Sequence, residues 1–281
     1  MSDITIQQAL DIGYQHLQNT HSNYKNEILW IMQKSLNQDL TFILSNKEHI
    51  IANLQYKLFL KLVNRRKNNE PLQHILNSVS FYGYDFDITK NVFIPRPETE
   101  ICISILKKHV GFRNAVLEVG TGTGCISILI ELEKLSNQIL SIDINRDALK
   151  LAQQNAKKFN CTKTQFCYSD FFGFHPLIKY DLIISNPPYI AINEINELDS
   201  TVKLYDPLDA LTDYENGLKF YKHFANIGLN MLSDDGYMLF EFGGDHQLAD
   251  LKIIFNNLNY TYNVFNDFNN VPRFMLIQKV S

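Results

Sequence analysis

Ala115-Val116-Leu117-Glu118-Val119-Gly120-Thr121-Gly122-Thr123-Gly124-Cys125 is the stretch whose reading decides the fold. Its first half is apolar over the length of one buried strand. Its second half sets glycine at alternate positions, so the backbone can turn sharply and approach a ligand with no Cβ in the way. Cys125 to Glu133 then reads as a helix, giving strand, tight turn and helix in succession. The spacing departs from G-x-G-x-x-G, since Cys125 stands where that motif wants its third glycine, and no Lys-Ser/Thr follows to make a phosphate-cradling loop. The turn therefore suits a ligand without a pyrophosphate, which disfavours a dinucleotide oxidoreductase.

Downstream the alternation continues. Gln138 to Asp143, Thr164 to Tyr168, Tyr180 to Ser185 and Gly236 to Phe242 read as strands, and two more strands close the chain. Arg146 to Phe159 and Glu215 to Leu232 read as helices, the latter with Leu218, Tyr221, Phe224 (or Ala225) and Gly228 along one face. Such alternation implies right-handed crossovers and a doubly wound parallel sheet.

In such a sheet ligands collect at the carboxyl ends of the strands. Asp143 ends the second strand, where an acid can accept hydrogen bonds from ribose hydroxyls. Glu118, just before the glycines, could face an ammonium. Ser169-Asp170-Phe171 pairs an acid with a ring at the end of the third strand, a combination that fits an adenine. Taken singly, Asp143 and Asp170 also read as helix caps and Phe171 as core. Together, in chain order, they outline a nucleoside that carries an amino acid. The fourth strand runs into Ser185-Asn186-Pro187-Pro188-Tyr189. Two prolines stop the ladder and leave carbonyls outward, and with an Asn amide and an aromatic ring they can grip a planar NH₂ group. The alternative is a proline-terminated strand with a turn asparagine.

Upstream the texture is different. Residues 4–67 read as helices, the last with Ile51, Leu54, Leu58 and Leu62 as its apolar stripe and no strand-like alternation anywhere. A basic cluster, Lys57, Lys61, Arg65, Arg66 and Lys67, reads as a cationic helix end. Val79 to Ile88, with Gly83, reads as a hairpin. Phe93-Ile94-Pro95-Arg96-Pro97-Glu98-Thr99-Glu100 begins extended and opens a helix, a rigid connector by its prolines. The organisation is a helical domain over 1–76, a hairpin linker over 77–97 and an α/β domain over 98–281.

The chain has 281 residues, 45% hydrophobic and 20% charged, with a net charge of −4, which argues against a protein that coats nucleic acid. Cys102, Cys125, Cys161 and Cys167 form no C-x-x-C pair, and no metal constellation is visible. The start, Met1 to Gln7, resembles neither a signal nor a transit peptide, and no apolar run reaches the ~18 residues of a membrane span. These features point to a soluble cytoplasmic protein.

The set Leu117 to Gly124, Asp143, Asp170 and Asn186-Pro187-Pro188-Tyr189 resembles the class I S-adenosylmethionine-dependent methyltransferases, whose fold is Rossmann-like with a seven-stranded, mostly parallel sheet. The hairpin ending in Ile94-Pro95-Arg96-Pro97-Glu98-Thr99-Glu100 is similar to the signature of the HemK/PrmC protein-(glutamine N(5)) methyltransferases. That resemblance implies a substrate, the Gln of the Gly-Gly-Gln loop in peptide-chain release factors, and S-adenosylhomocysteine as product. It implies that Glu118, Gly120, Thr121, Gly122, Thr123, Gly124, Asp143, Asp170, Phe171 and Asn186 serve the cofactor. Asn186, Pro187, Pro188 and Tyr189 would receive the Gln, with Asn186, Pro187 and Tyr189 at the chemistry. No nucleic-acid partner, membrane or second subunit is implied. Three departures stand out: Phe171 where relatives have Trp, Asn77 where many have Gly, and Tyr205-Asp206-Pro207-Leu208-Asp209-Ala210-Leu211, a loose match to Glu-Pro-x-x-Ala-Leu. Asn-Pro-Pro-Tyr is shared with enzymes that methylate DNA adenine or rRNA guanine, which makes an amino-group methyltransferase the rival reading. A scaffold without catalysis would have no use for the motif.

Overall fold

The computed structural model describes residues 3–256 and 260–279, so Met1 and Ser2 of the N-terminal reading lie outside the described residues. The chain divides into two units, Met1–Ser78 and Val79–Ser281.

In the first unit β1 (Ile4–Thr5) leads into α1 (Ile6–Leu17) through a reciprocal cap. Gln8 N–H donates to Thr5 Oγ1, and Thr5 N–H donates to Gln8 Oε1. Helices α2 (Tyr24–Leu36) and α3 (Leu40–Ser45), strand β2 (Ile50–Ile51), and helices α4 (Asn53–Lys67) and α5 (Leu72–Leu76) follow. The β1–β2 pair is antiparallel and two residues long, too short for any alternation to announce it. Helix α4 buries Phe59, Leu62 and Val63, and so keeps only Leu62 of the Ile51-Leu54-Leu58-Leu62 stripe on its covered face. Leu54 is 81% exposed and Ile51 belongs to β2. The helix carries apolar residues on two faces, and the larger Phe59 ring decides which one is covered. The basic cluster turns inward where it matters. Arg65 grips Glu70 with two hydrogen bonds (2.7 and 2.6 Å), and Arg66 grips Glu27 with two more (2.8 and 2.9 Å). Asn77 ends α5 at φ 56°, a left-handed conformation asparagine accepts in place of glycine.

Strand β3 (Ser78–Phe81), which lies in the second unit from Val79 on, and β4 (Tyr84–Asp87) form the expected hairpin. Tyr82 and Gly83 both take positive φ, as a two-residue turn matching the strand twist requires. Phe81, Phe86, Ile88 and Ile94 lie in one apolar cluster with Val116, Ile128 and Leu129, so the segment over 79–97 is part of the α/β core and not a free-standing linker. A 3₁₀ turn (Pro97–Glu100) opens α6 (Ile101–Ile105).

Then come β5 (Arg113–Val119), α7 (Cys125–Leu132), β6 (Ser136–Asp143), α8 (Arg146–Lys158), β7 (Thr164–Tyr168), β8 (Tyr180–Ser185), α9 (Ser200–Tyr205), α10 (Lys219–Met231), β9 (Leu232–Glu241), α11 (Asp245–Asn256), β10 (Tyr260–Asn266) and β11 (Pro272–Lys279). The seven strands are ordered β10-β11-β9-β8-β5-β6-β7. Strands β5 to β9 run parallel, and β11 lies antiparallel between β9 and β10. Alternation along β5 divides the core. Ala115, Leu117 and Val119 join Tyr221, Phe224 and Phe255 on one face, while Val116 joins Ile103 and Ile128 on the other.

One buried side chain joins the hairpin to the glycine turn. Asn155 on α8 accepts the Asp87 N–H (2.9 Å) and donates to the carbonyls of Asp87 (3.0 Å) and Thr123 (2.9 Å). Asn155→Ala leaves these groups unpaired beside a cavity and should cost about 3 kcal/mol of unfolding free energy, read by urea denaturation. A loss below about 0.5 kcal/mol would show that water replaces the side chain.

Candidate active site

The strand order reverses at β5: the chain proceeds outward through β6 and β7, then returns to place β8 on the other side of β5. Such a switch point opens a crevice at the strands' carboxyl ends. Register makes the ends level, since Val119 lies beside Ile142 and Ser185, and Ser185 beside Phe240. The glycine turn after β5 and Asn186 after β8 are therefore neighbours. Ser185 Oγ, buried, donates to the Val119 carbonyl at 2.7 Å and ties the two exits together.

In the turn, Gly120 and Gly122 have φ of 78° and 53°, and a Cβ built on either meets nothing within 4 Å. The space in front of this backbone is open. Gly124 differs: a Cβ there would stand 2.9 Å from Ala152 Cβ, so its role is close helix packing. Asp143 braces the turn, its Oδ2 accepting Gly122 N–H (3.0 Å) and its Oδ1 accepting Asn145 N–H (2.8 Å). Two oxygens with four lone-pair sites still leave room for a ligand hydroxyl.

Glu118 is 1% exposed. Its Oε2 accepts from Thr121 Oγ1 and Ser141 Oγ, each at 2.8 Å, while its Oε1 finds no partner among the described residues. An unsatisfied buried carboxylate oxygen beside an open glycine turn fits a cationic group on a ligand. Burial lifts the Glu118 carboxyl from its ordinary 4.5 to about 7, with the hydroxyls of Ser141, Ser127 and Thr121 pulling the other way.

Asp170 begins a 3₁₀ turn, its Oδ1 accepting Phe172 N–H at 3.0 Å. Phe171 does not match the expected stacking ring. It is 3% exposed and leans on Phe224 with ring centres 4.3 Å apart, with His223 against its edge. Its large apolar surface is better buried against α10 than held free, so Phe171 can wall the crevice from below but offers no open face. Phe172, 37% exposed, is the accessible ring of the pair.

Past β8, Pro187 is buried, while Asn186, Pro188 and Tyr189 are partly buried. The Tyr189 carbonyl accepts from Gln247 Nε2 at 2.7 Å. Gly217 lies against the same carbonyl so closely that a Cβ would stand 2.1 Å from its oxygen. Burial pushes the Tyr189 phenol well up, so it is neutral.

Two residues that no sequence argument singled out hold Asn186. Its Nδ2 donates to Thr99 Oγ1 (3.3 Å), and Thr99 Oγ1 donates to Glu241 Oε2 (2.7 Å). Thr99 stands inside the Pro-Arg-Pro-Glu-Thr-Glu run, and Glu241 interrupts the apolar strand Met238-Leu239-Phe240-Glu241-Phe242. A lone acid in a buried strand was the available signal. Arg96 of the same run pairs with Asp206 and lies over the Phe93 ring at 4.9 Å. The loosely matching Tyr205 to Leu211 segment is thus anchored after all, by Asp206.

The Methyltransferase small domain family matches residues 96–201, and the PrmC N-terminal domain family matches residues 8–76. A methyltransferase from Pyrococcus furiosus, known by crystal structure, is similar with a TM-score of 0.54, at 15% identity over 71% of this chain and 91% of that one. A methyltransferase crystallised with S-adenosylhomocysteine is similar with a TM-score of 0.53, at 15% identity over 72% of this chain and 56% of that one. Sheet order and strand directions are those of the class I methyltransferase fold.

Its nearer relatives narrow the class. The release factor glutamine methyltransferase of Bacillus subtilis is 35% identical over 72% of both chains. That of Fusobacterium nucleatum is 38% identical over 78% of this chain, and a bifunctional methyltransferase of Rickettsia bellii is 34% identical over 85% of it. The chain belongs to the release factor glutamine methyltransferase family. It spans 62% of the Fusobacterium protein and 48% of the Rickettsia one.

Two of the buried glutamates make stability depend on pH. Glu241, like Glu118, is lifted by burial from 4.5 to about 7. A raised folded-state value favours the protonated form, so the stability involved is full below about pH 4.5 and is lost as pH rises through about 7. The ligand-free protein should lose up to about 3 kcal/mol per carboxylate across that window. Urea denaturation of Glu118→Gln should show a shallower fall than the parent. An identical slope would mean that Glu118 is already ionised at acid pH.

Proposed function

We propose that this chain transfers the methyl group of S-adenosylmethionine to the side-chain amide nitrogen of the Gln in the Gly-Gly-Gln loop of peptide-chain release factors. It would do so in the cytoplasm, as a monomer, with no nucleic acid or membrane as partner. One observation carries the chemical part: an asparagine amide whose nitrogen is already engaged, at the exit of the strand beside an open glycine turn. Family membership carries the choice of substrate.

The cofactor, when bound, supplies a methyl on a sulfonium, which is electrophilic enough for a nitrogen whose lone pair is shared with a carbonyl. Glu118 Oε1 would accept from its ammonium, the backbone of Gly120 to Gly124 would line its amino-acid portion, and Asp143 would accept from its ribose. Asp170 would take the adenine amine, with Phe171 as a wall.

For the substrate, Asn186 Oδ1 and the Pro187 carbonyl would accept the two amide N–H bonds. Holding both fixes the nitrogen toward the methyl, and the two acceptors offset the positive charge that builds on it as the bond forms. Pro187 and Pro188 keep that carbonyl from shifting, since their φ is set by the ring. Tyr189, neutral and backed by core, would cover the face of the planar amide. The proton leaves the nitrogen after the methyl has arrived, so no dedicated base is needed.

Asn186→Ala should lower the single-turnover rate on purified release factor by about 100-fold or more, with cofactor affinity within a few-fold of the parent. A near-parental rate would reject the mechanism. Asp143→Ala should act first on cofactor affinity, measured by calorimetry, because it removes both a ribose acceptor and the brace on Gly122. Labelled cofactor offered to release factor, to its Gly-Gly-Gln loop variant, and to DNA and rRNA decides the substrate. Label appearing on nucleic acid instead of protein would overturn the assignment.

A further inference from the structure

An asparagine amide is nearly symmetric in shape and wholly asymmetric in chemistry. Turned one way it accepts from a substrate NH₂, and turned the other way it presents N–H to N–H. Resting on the methyl-transfer reading above, we propose that Glu241 and Thr99 are positioning residues that set the direction of the Asn186 amide, keeping Oδ1 toward the substrate.

The argument is a count of protons. A threonine hydroxyl has one, and here it goes to Glu241 Oε2 at 2.7 Å. Only lone pairs then remain on Thr99 Oγ1, so the Asn186 atom 3.3 Å away has to be the donor Nδ2. The Asn186 amide also supports the charged form of Glu241 by hydrogen bonding, which again only N–H can do. A neutral glutamine at 241 could accept from Thr99 with its oxygen or donate to it with its nitrogen, and the direction would be lost. Ionised Glu241 allows one direction only.

The carboxylate is held firmly enough to impose this. Glu241 is 2% exposed, and its carbonyl accepts from Tyr221 Oη at 2.7 Å. Thr99 is 3% exposed in the 3₁₀ turn. The charged and titratable groups around Glu241 come from every neighbouring element: Glu98 from the 3₁₀ turn, Cys102 from α6, Tyr189 from the loop after β8, Tyr221 from α10 and Arg273 from β11. Arg273 favours the charged form and Glu98 opposes it, while burial, the largest effect, brings the carboxyl to about 7. Below that pH a protonated Oε2 can donate to Thr99, whose own proton is then free to turn toward Asn186. The amide is released to flip.

The test compares the parent with Thr99→Ser, Thr99→Val and Glu241→Gln at saturating cofactor, so that titration of Glu118 does not enter. With release factor as substrate, Thr99→Val and Glu241→Gln should lose about 100-fold in kcat, with cofactor Kd changed by less than about threefold. Thr99→Ser, which keeps the hydroxyl, should restore most of the rate. In the parent kcat should rise with pH through about 7, and in Glu241→Gln that rise should vanish. A second readout needs no substrate: the side-chain amide resonance of Asn186 in ¹⁵N-edited spectra should titrate near the same pH in the parent and not in Glu241→Gln. A resonance that stays put in the parent, or parental kcat in Thr99→Val, overturns the proposal. A titrating resonance in a protein that leaves release factor unmethylated instead sinks the substrate reading and keeps the positioning role.

Discussion

The adjacency of β5 and β8 is the constraint on which the rest of this structure depends. The two strands are separated in sequence by β6 and β7, yet pair in parallel so that Val119 and Ser185 end level. The Ser185 hydroxyl donating to the Val119 carbonyl closes the edge at the point where ladder hydrogen bonds run out. Pro187 and Pro188 cannot extend the ladder, so the chain leaves the sheet there with its carbonyls outward. The glycine turn leaves beside it, with no Cβ in front of Gly120 or Gly122. A methyl donor on one exit and an amide on the other would meet without any domain motion to bring them together.

Glu118 and Glu241 are held differently from three other carboxylates of the chain. Those three are matched by guanidinium groups: Glu27 by Arg66, Glu70 by Arg65, Asp206 by Arg96. Glu118 and Glu241 are instead held by hydroxyls of Ser141, Thr121 and Thr99. A guanidinium would fix the charge and fill the remaining lone pairs. Hydroxyls offset only part of the desolvation, which leaves each carboxyl near 7 and responsive to what arrives. At Glu118 the arrival would be an ammonium. At Glu241 it is a proton, read out through Asn186.

Local pattern carried the sheet and the strand ends at which the candidate residues stand. The strands over Thr164–Tyr168 and Tyr180–Ser185 coincide with their sequence reading, because both runs are short, rich in β-branched or aromatic residues and set in a strand-helix alternation. The positions of Asp143, Asn186 and the glycines follow from strand ends and nothing else. What failed was whatever depends on a competition between surfaces. Leu54 and Leu58 share a helix with Phe59, and period alone does not say which face the rest of the unit covers. Phe171 sits next to Phe172, and α10, distant in sequence, decides which ring is buried. The Thr99–Glu241 bond spans 142 residues, and no periodicity connects its ends.

That bond also gives the stiffness of Pro95-Arg96-Pro97-Glu98-Thr99-Glu100 a use. Read alone it is a stiff connector, and its stiffness is real: Pro97 presets the first residue of the 3₁₀ turn, and Thr99 N–H donates to the Arg96 carbonyl at 3.0 Å. One such turn separates Arg96 from Thr99. Arg96 reaches Asp206 in the loop beyond Tyr189, while Thr99 reaches Asn186 before it. The run therefore ties Asn186 at one point and the end of α9 at the other, and an insertion or deletion within it would release one tie or the other. Rigidity that looked like a property of a linker is used to aim an amide, since a rotation of that amide by half a turn exchanges acceptor for donor and leaves everything else in place.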